Sequence, residues 1–218
     1  MASKRRSGLA NDRRAFNYYY PKISVIYPKN ESEPVEPVCP SISLGDIATL
    51  VGNIYILNMN ATILACQTLL IPTGYVLVVL NGFTLTNYGR INNQGTIAIN
   101  GTIINYYILY NNGGSIFCNS AGNIINNNGS IIYNGSGTIF TVLGAIYNNG
   151  GVIYNIGTFN TNSTGVIYNY NNGTISNDNS FNITGGANLY NADGSSTCGT
   201  GILNGNFPPT ATGTNCPP

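Results

Sequence analysis

From Gly89 to Gly173 the chain keeps restarting one short phrase: a glycine, a variable residue, then isoleucine or valine. The starts fall at Gly89, Gly95, Gly101, Gly114, Gly122, Gly129, Gly137, Gly144, Gly151, Gly165 and Gly173. Gly74 opens an earlier copy and Gly157 a phenylalanine version. Most neighbouring starts lie six to eight residues apart, with a wider gap at IINYYILYNNG. That spacing is too short for a helix and its turn, and it suits one short strand followed by one corner. Strands of this length are not stable alone. They become stable when successive turns stack and each strand pairs with its equivalent one coil later. With three strands per coil, Tyr133 falls above Tyr154 and Tyr147 above Tyr168. The expected fold is therefore all-β, a single-chain parallel β-solenoid of undecided handedness.

The recurring Gly-x-Ile-Tyr-Asn phrase divides its residues by role. Glycine and asparagine supply the tight or left-handed backbone that corners require. Side chains alternate along a strand, so Gly, Ile and Asn share one face, and the variable residue and Tyr share the other. Isoleucines stacked on isoleucines would fill the interior, and asparagines in register would form a hydrogen-bonded ladder. The residue after the isoleucine is often apolar too: Ile104, Phe117, Ile125, Ile132, Phe140, Tyr147, Tyr154 and Tyr168. Two readings stay open for these. They form an outward stripe that marks a contact surface, with Phe140, Tyr147, Tyr154 and Tyr168 as candidate interface residues, or corner geometry turns some of them inward.

Charge divides the chain differently. Twelve of the fifteen charged residues precede residue 47, and beyond it only Arg90, Asp178 and Asp193 remain. A body so nearly neutral has little charge repulsion to keep copies apart, which points to life inside an assembly. Residues 1–40 read as an extended basic and proline-rich arm. Lys4, Arg5, Arg6, Arg13 and Arg14 precede Tyr18, Tyr19 and Tyr20, and prolines follow at 28, 34, 37 and 40. These cations and tyrosines are the second candidate interface, expected to dock on neighbouring protein subunits ahead of nucleic acid. Residues 41–195 are assigned to the solenoid, with 41–68 as its N-terminal cap. Residues 196–218 are assigned to a Pro/Thr/Gly-rich tail or cap, which Cys198 and Cys216 could close as a disulfide.

Composition argues against chemistry. The chain has no histidine, so neither a Ser-His-Asp nor a Cys-His nucleophile can be built. Asp178 and Asp193 show no partner for paired-carboxylate catalysis, and no phosphate-cradling loop occurs. The five cysteines lack metal-ligand spacing. No enzyme activity, cofactor or metal is expected. The longest uncharged stretch, Ile63 to Leu85, is cut by Pro72-Thr73-Gly74 and Asn81-Gly82. It reads as buried strands, and no membrane span is expected.

The stretch TLLIPTGYVLVVLNGFTLTNYGRINNQGTIAINGTI resembles the Asn/Gly-rich repeat proteins of giant viruses and related β-helical surface proteins of bacteria. The likeness runs from about Leu69 to Ile175. It implies a β-solenoid and, on the viral side, a virion structural role such as a minor capsid or surface component, with capsid proteins as partners. It carries no catalytic residue. The alternative expectation is an extracellular adhesin or glycan binder that stacks sugars on Tyr133, Tyr147, Tyr154 and Tyr168.

Overall fold

A computed structural model of the chain describes residues 40–192 and 194–205. It is a parallel β-solenoid with three walls, one of nine strands and two of seven. A one-turn helix, α1 (Leu44–Ile47), is followed by β1 (Thr49–Val51), β2 (Ile54–Leu57), β3 (Ala61–Ile63) and β4 (Thr68–Ile71). β2 starts the parallel part of the nine-stranded wall, β3 one seven-stranded wall and β4 the other. The chain then visits the walls in that order until the last strand, Ile202–Gly205. Every described strand pairing is parallel except that of β1 with β2. We call the walls A (nine strands), B (from β3) and C (from β4).

Register follows the repeat. Tyr147 pairs with Tyr168 and Tyr133 with Tyr154, as the 21-residue spacing predicts. The stretch Ile63–Leu85 contributes strands to all three walls. Among the described residues no helix is long and apolar enough to cross a membrane.

Nearly every four-residue strand turns its second and fourth side chains inward. The second positions stack isoleucine and leucine in walls B and C: Leu85, Ile103, Ile124, Ile146, Ile167 and Leu189 in B, and Leu69, Ile91, Leu109, Ile132, Ile153 and Ile175 in C. In wall A the column passes through Phe140, Phe159 and Phe181, whose rings stack with centroids 4.7 Å apart, before Leu203. Each buried aliphatic side chain contributes roughly 1.5–3 kcal/mol of transfer free energy.

The fourth positions differ between walls. In B they are Asn87, Asn105, Asn126, Asn148, Asn169 and Asn191, in C Asn93, Asn111, Asn134, Asn155 and Asn177. Each Nδ2 donates to the next Oδ1 at 2.7–2.8 Å. All but the last of wall B, Asn191, also donate to a carbonyl at the start of a neighbouring strand, at 2.9–3.3 Å. The amides thus tie each coil to the next and to the corner, and a buried amide left unpaired would cost about 1–3 kcal/mol. The first member of each column shows why. Asn87 and Asn93 sit above Ile63 and Ile71, which have no donor to give, and their Oδ1 atoms are unpaired.

Corners need glycine for two reasons. At Gly101 a Cβ would run into the carbonyl oxygens of Leu80 and Phe83 one coil below, so only a bare Cα fits. Gly129 and Gly137 instead adopt φ of 76° and 73° in longer turns. There the inward corner place passes to the next residue. Ser130 Oγ donates to Asn126 Oδ1 and to the Asn127 carbonyl, and Thr138 Oγ1 to Asn134 Oδ1 and the Gly135 carbonyl. The strand that follows is displaced by one residue, which reverses which side chains face in.

At the N-terminal end α1 covers the first coil. Ser43 N and Oγ both donate to Asp46 Oδ2, at 2.7 and 2.8 Å. The backbone bond, then the hydroxyl, holds the Asp46 carboxyl below its usual range. Leu44 and Ile47 join the core. The coils begin at Ile54, inside the segment read as a cap. They continue through Ser196–Cys198 and Ile202–Gly205, inside the segment read as a tail.

Candidate interaction surface

The outward third position of each strand forms a column too. In wall B it runs Thr62, Thr86, Ile104, Ile125, Tyr147, Tyr168, Tyr190. The Tyr147–Tyr168 and Tyr168–Tyr190 rings lie 5.2 and 5.4 Å apart and within 13° of parallel. Ala145 and Val166 flank them, and Tyr147, Tyr168, Asn169, Tyr170, Tyr190 and Ala192 line an open groove of about 330 Å3. In wall C, Tyr110, Tyr133 and Tyr154 follow one another at 4.7 and 5.3 Å, beside Ile108, Ile131 and Val152. Tyr88 and Tyr106 stack at 4.7 Å on the corner between B and C.

Candidate interface residues Tyr147, Tyr154 and Tyr168 therefore all face outward. Phe140 does not: it is wholly buried, as is Ile132. Both follow the displaced corners at Ser130 and Thr138, so Ile139, expected inside, is outside and Phe140 heads the inner phenyl stack. Lys4, Arg5, Arg6, Arg13, Arg14, Tyr18, Tyr19 and Tyr20 lie outside the described residues. Cys198 is buried and disulfide-bonded, and Cys66, near the other end, is exposed and disulfide-bonded. Cys216 lies outside the described residues. Cys118 is a free thiol in the aliphatic fourth column of wall A, and burial pushes its pKa up to about 12.

One polar contact closes the tyrosine run of wall C, which Ser176 follows. Tyr154 Oη donates to Asp178 Oδ2 at 3.0 Å, and Asp178 Oδ1 accepts from Thr200 N and Oγ1 at 3.0 and 3.1 Å. Partial burial, then the bond to the carboxylate, pushes the Tyr154 phenol up to about 12. The Thr200 backbone bond is the main cause that holds Asp178 low. Among the described residues no group of three or more His, Cys, Asp or Glu side chains converges as metal ligands would.

The columns constrain what can bind. Rings stacked this closely cover one another's faces and present edges and hydroxyls. Sugar stacking needs an open ring face, and in the wall B column Tyr168 is stacked on both sides, while Tyr190, at the end of the stack, is 50% exposed. A continuous ridge of edges, flanked by aliphatic side chains, suits another flat protein surface better.

The outward column of wall A supplies the contrast. Its C-terminal part is Asn160, Asn182 and Asn204, whose amides bond from coil to coil at 2.8 Å. The same structural position accepts a polar ladder, so the solenoid does not require tyrosine there. Comparison with protein-family models, curated proteins and solved structures finds no match for this chain.

Proposed function

We propose that this chain is a non-enzymatic structural component of a large assembly, a minor capsid or cement protein of a virion. The observation that carries the reading is the pair of outward tyrosine columns on an almost uncharged rod. A site exposed to water throughout its life would be served equally well by the asparagine column of wall A, whereas an apolar ridge gains free energy when a neighbour covers it. In this reading the rod supplies rigid walls, and residues 1–40, with their lysines, arginines and tyrosines, dock on neighbouring capsid subunits. Protein subunits, ahead of nucleic acid, are the partners in this reading, and no membrane span is expected. The resemblance of Leu69–Ile175 to giant-virus repeat proteins supports the virion over the alternative setting, a cell surface.

Deletion of residues 1–38 tests it. The truncated chain should keep the β-sheet circular dichroism and melting temperature of the whole chain and be missing from purified particles. Normal incorporation of the truncated chain would end the proposal. The adhesin alternative predicts a glycan-array signal that disappears with Tyr→Ala changes in the columns.

A further inference from the structure

We infer that a disulfide clamps each end of the solenoid, Cys39 to Cys66 at the first coil and Cys198 to Cys216 at the last, and that each clamp holds its own end independently of the other. The inference stands apart from the structural role proposed above. The chain has five cysteines. Cys118 is a free thiol, and Cys66 and Cys198 are both disulfide-bonded. Those two cannot bond to each other. Cys66 lies in the corner just before β4, and Cys198 ends the last described strand of wall C. Six strand spacings separate β4 from that strand, about 29 Å at about 4.8 Å each. A disulfide joins Cα atoms no more than about 7 Å apart. The partners are therefore Cys39 and Cys216, which lie outside the described residues. The chain itself decides which goes with which. Cys39 is one peptide bond from Pro40, whose carbonyl accepts a hydrogen bond from Gln67 Nε2 at 3.0 Å, and Gln67 adjoins Cys66. Consecutive Cα atoms lie about 3.8 Å apart, so Cys39 stays by the first coil and cannot reach Cys198. Cys216 is left for Cys198.

Both clamps enclose strands that need one. The loop from Cys39 to Cys66 contains α1, β1, β2 and β3, and the loop from Cys198 to Cys216 contains Ile202–Gly205. β1 and Ile202–Gly205 are the two edge strands of wall A, each paired on one side only among the described residues. They also bury little: Leu50, Val51 and Ile202 are 49%, 58% and 64% exposed. A strand with one neighbour and little buried apolar surface opens readily, and its free edge is a template for pairing with another chain. A crosslink that closes the loop around it restricts the opened states. Cys118 needs none, because its strand, Ser115–Cys118, is paired on both sides. In a stacked array each coil is held mainly by its neighbours, so one end can open while the middle stays closed. Formation of each clamp makes one S–S bond and takes two protons and two electrons from a pair of thiols. A disulfide oxidant, small or enzyme-borne, accepts them and is itself reduced to two thiols.

The test uses the full chain, refolded with a glutathione redox couple, then unfolded in urea, alkylated with iodoacetamide and cut with trypsin. Arg90 is the last tryptic site, so the fragment 30–90 holds Cys39 and Cys66, and the fragment 91–218 holds the other three cysteines. Without reductant the two fragments should separate, the first carrying no alkyl group and the second one, on Cys118. Fragments that stay joined until reduced overturn the inference, because the pairing is then crossed. So does any alkyl group on 30–90, or more than one on 91–218, because a clamp is then missing. Hydrogen exchange reads the independence of the two ends. The double variant Cys39→Ser, Cys66→Ser should speed amide exchange in β1, β2 and β3 about tenfold and leave Ile202–Gly205 as it was. Cys216→Ser should do the reverse, and neither should change the middle strand Ile131–Asn134. Exchange that is unchanged in both variants, or that rises at both ends in either one, overturns the independent hold. Neither measurement reads incorporation into particles, so this inference and the structural role fail separately.

Discussion

Walls B and C are built the opposite way round from wall A. B and C keep asparagine inside and tyrosine outside; wall A keeps aliphatic side chains and phenylalanine inside and, towards its C-terminal end, asparagine outside. The three walls share one backbone arrangement, so the difference is not imposed by strand geometry. In a parallel stack in register each side chain meets its own kind one rung away. An amide column, a phenyl column and an aliphatic column all satisfy that condition. They part company when one member is changed. An aliphatic column loses only packing, whereas an amide column loses donors and acceptors that no water can replace.

The change that most severely breaks this contrast is Asn126→Asp. Asn126 Oδ1 accepts from Asn105 Nδ2 and Ser130 Oγ, both at 2.8 Å, while its Nδ2 donates to Asn148 Oδ1 and the Val152 carbonyl. A carboxylate would put a charged oxygen against those two acceptors, out of reach of water. The expected loss at pH 7 is about 3–5 kcal/mol. Burial and the facing oxygens raise the carboxyl pKa in the folded state, so the loss is full at neutral pH. It shrinks as pH falls towards the unfolded value near 4, where the acid form regains one donor. Urea unfolding at pH 7 and pH 4.5 measures it, and a loss of equal size at both would contradict the amide column.

Asn126→Leu is the neutral version of the same break. It removes the donor to Asn148 Oδ1 and one acceptor of Asn105 Nδ2, with an expected loss of about 1–3 kcal/mol. Its counterpart in wall A is Cys118→Val, between Ile99 and Val142. That swap exchanges one small buried apolar group for another and should cost less than about 1.5 kcal/mol. The Cys118 thiol, held up at about 12, should also resist iodoacetamide at pH 8 until the protein is unfolded. Rapid labelling of Cys118 in the native chain would show that wall A opens locally.

Much of this contrast was legible in the sequence. The Ile and Asn roles in GAIYN and GVIYN follow from alternation alone, and the Asn ladder follows from the equal spacing of the copies. The failure at Phe140 has a specific cause. Gly137-Thr138 looks like Gly101-Thr102, yet Gly137 is a left-handed turn residue and Gly101 a corner residue with no room for a Cβ. A side-chain hydroxyl can take the inward corner place only where a longer turn precedes it, and turn length is set by coil-to-coil stacking. The early onset of the solenoid was hidden for a related reason. The first coil, NIYILNMNATILACQT, has no glycine inside it, and among the described residues no coil lies beneath it to crowd its corners.

The weakest expected effect concerns the outer face alone and sharpens the contrast by showing how little an exposed contact contributes. Tyr154→Phe removes the hydroxyl that donates to Asp178 and should cost less than about 1 kcal/mol, because both groups are screened by solvent. Its pH signature is more informative than its size. The folded-state pKa of Tyr154 lies near 12, above its ordinary value of 10.0. Its contribution is therefore fully present below pH 10 and is lost as pH rises from 10 to 12. Asp178 is held below its ordinary 3.8, so its contribution is present above that value and is lost as the pH falls through the lowered pKa. Wild type and Tyr154→Phe should differ in stability by a constant amount from pH 5 to 9 and converge above pH 10. Absorbance at 295 nm should show one late-titrating phenol that the variant lacks. A difference that persists unchanged to pH 12 would mean that the Tyr154 ring edge, rather than its hydroxyl, makes the contact.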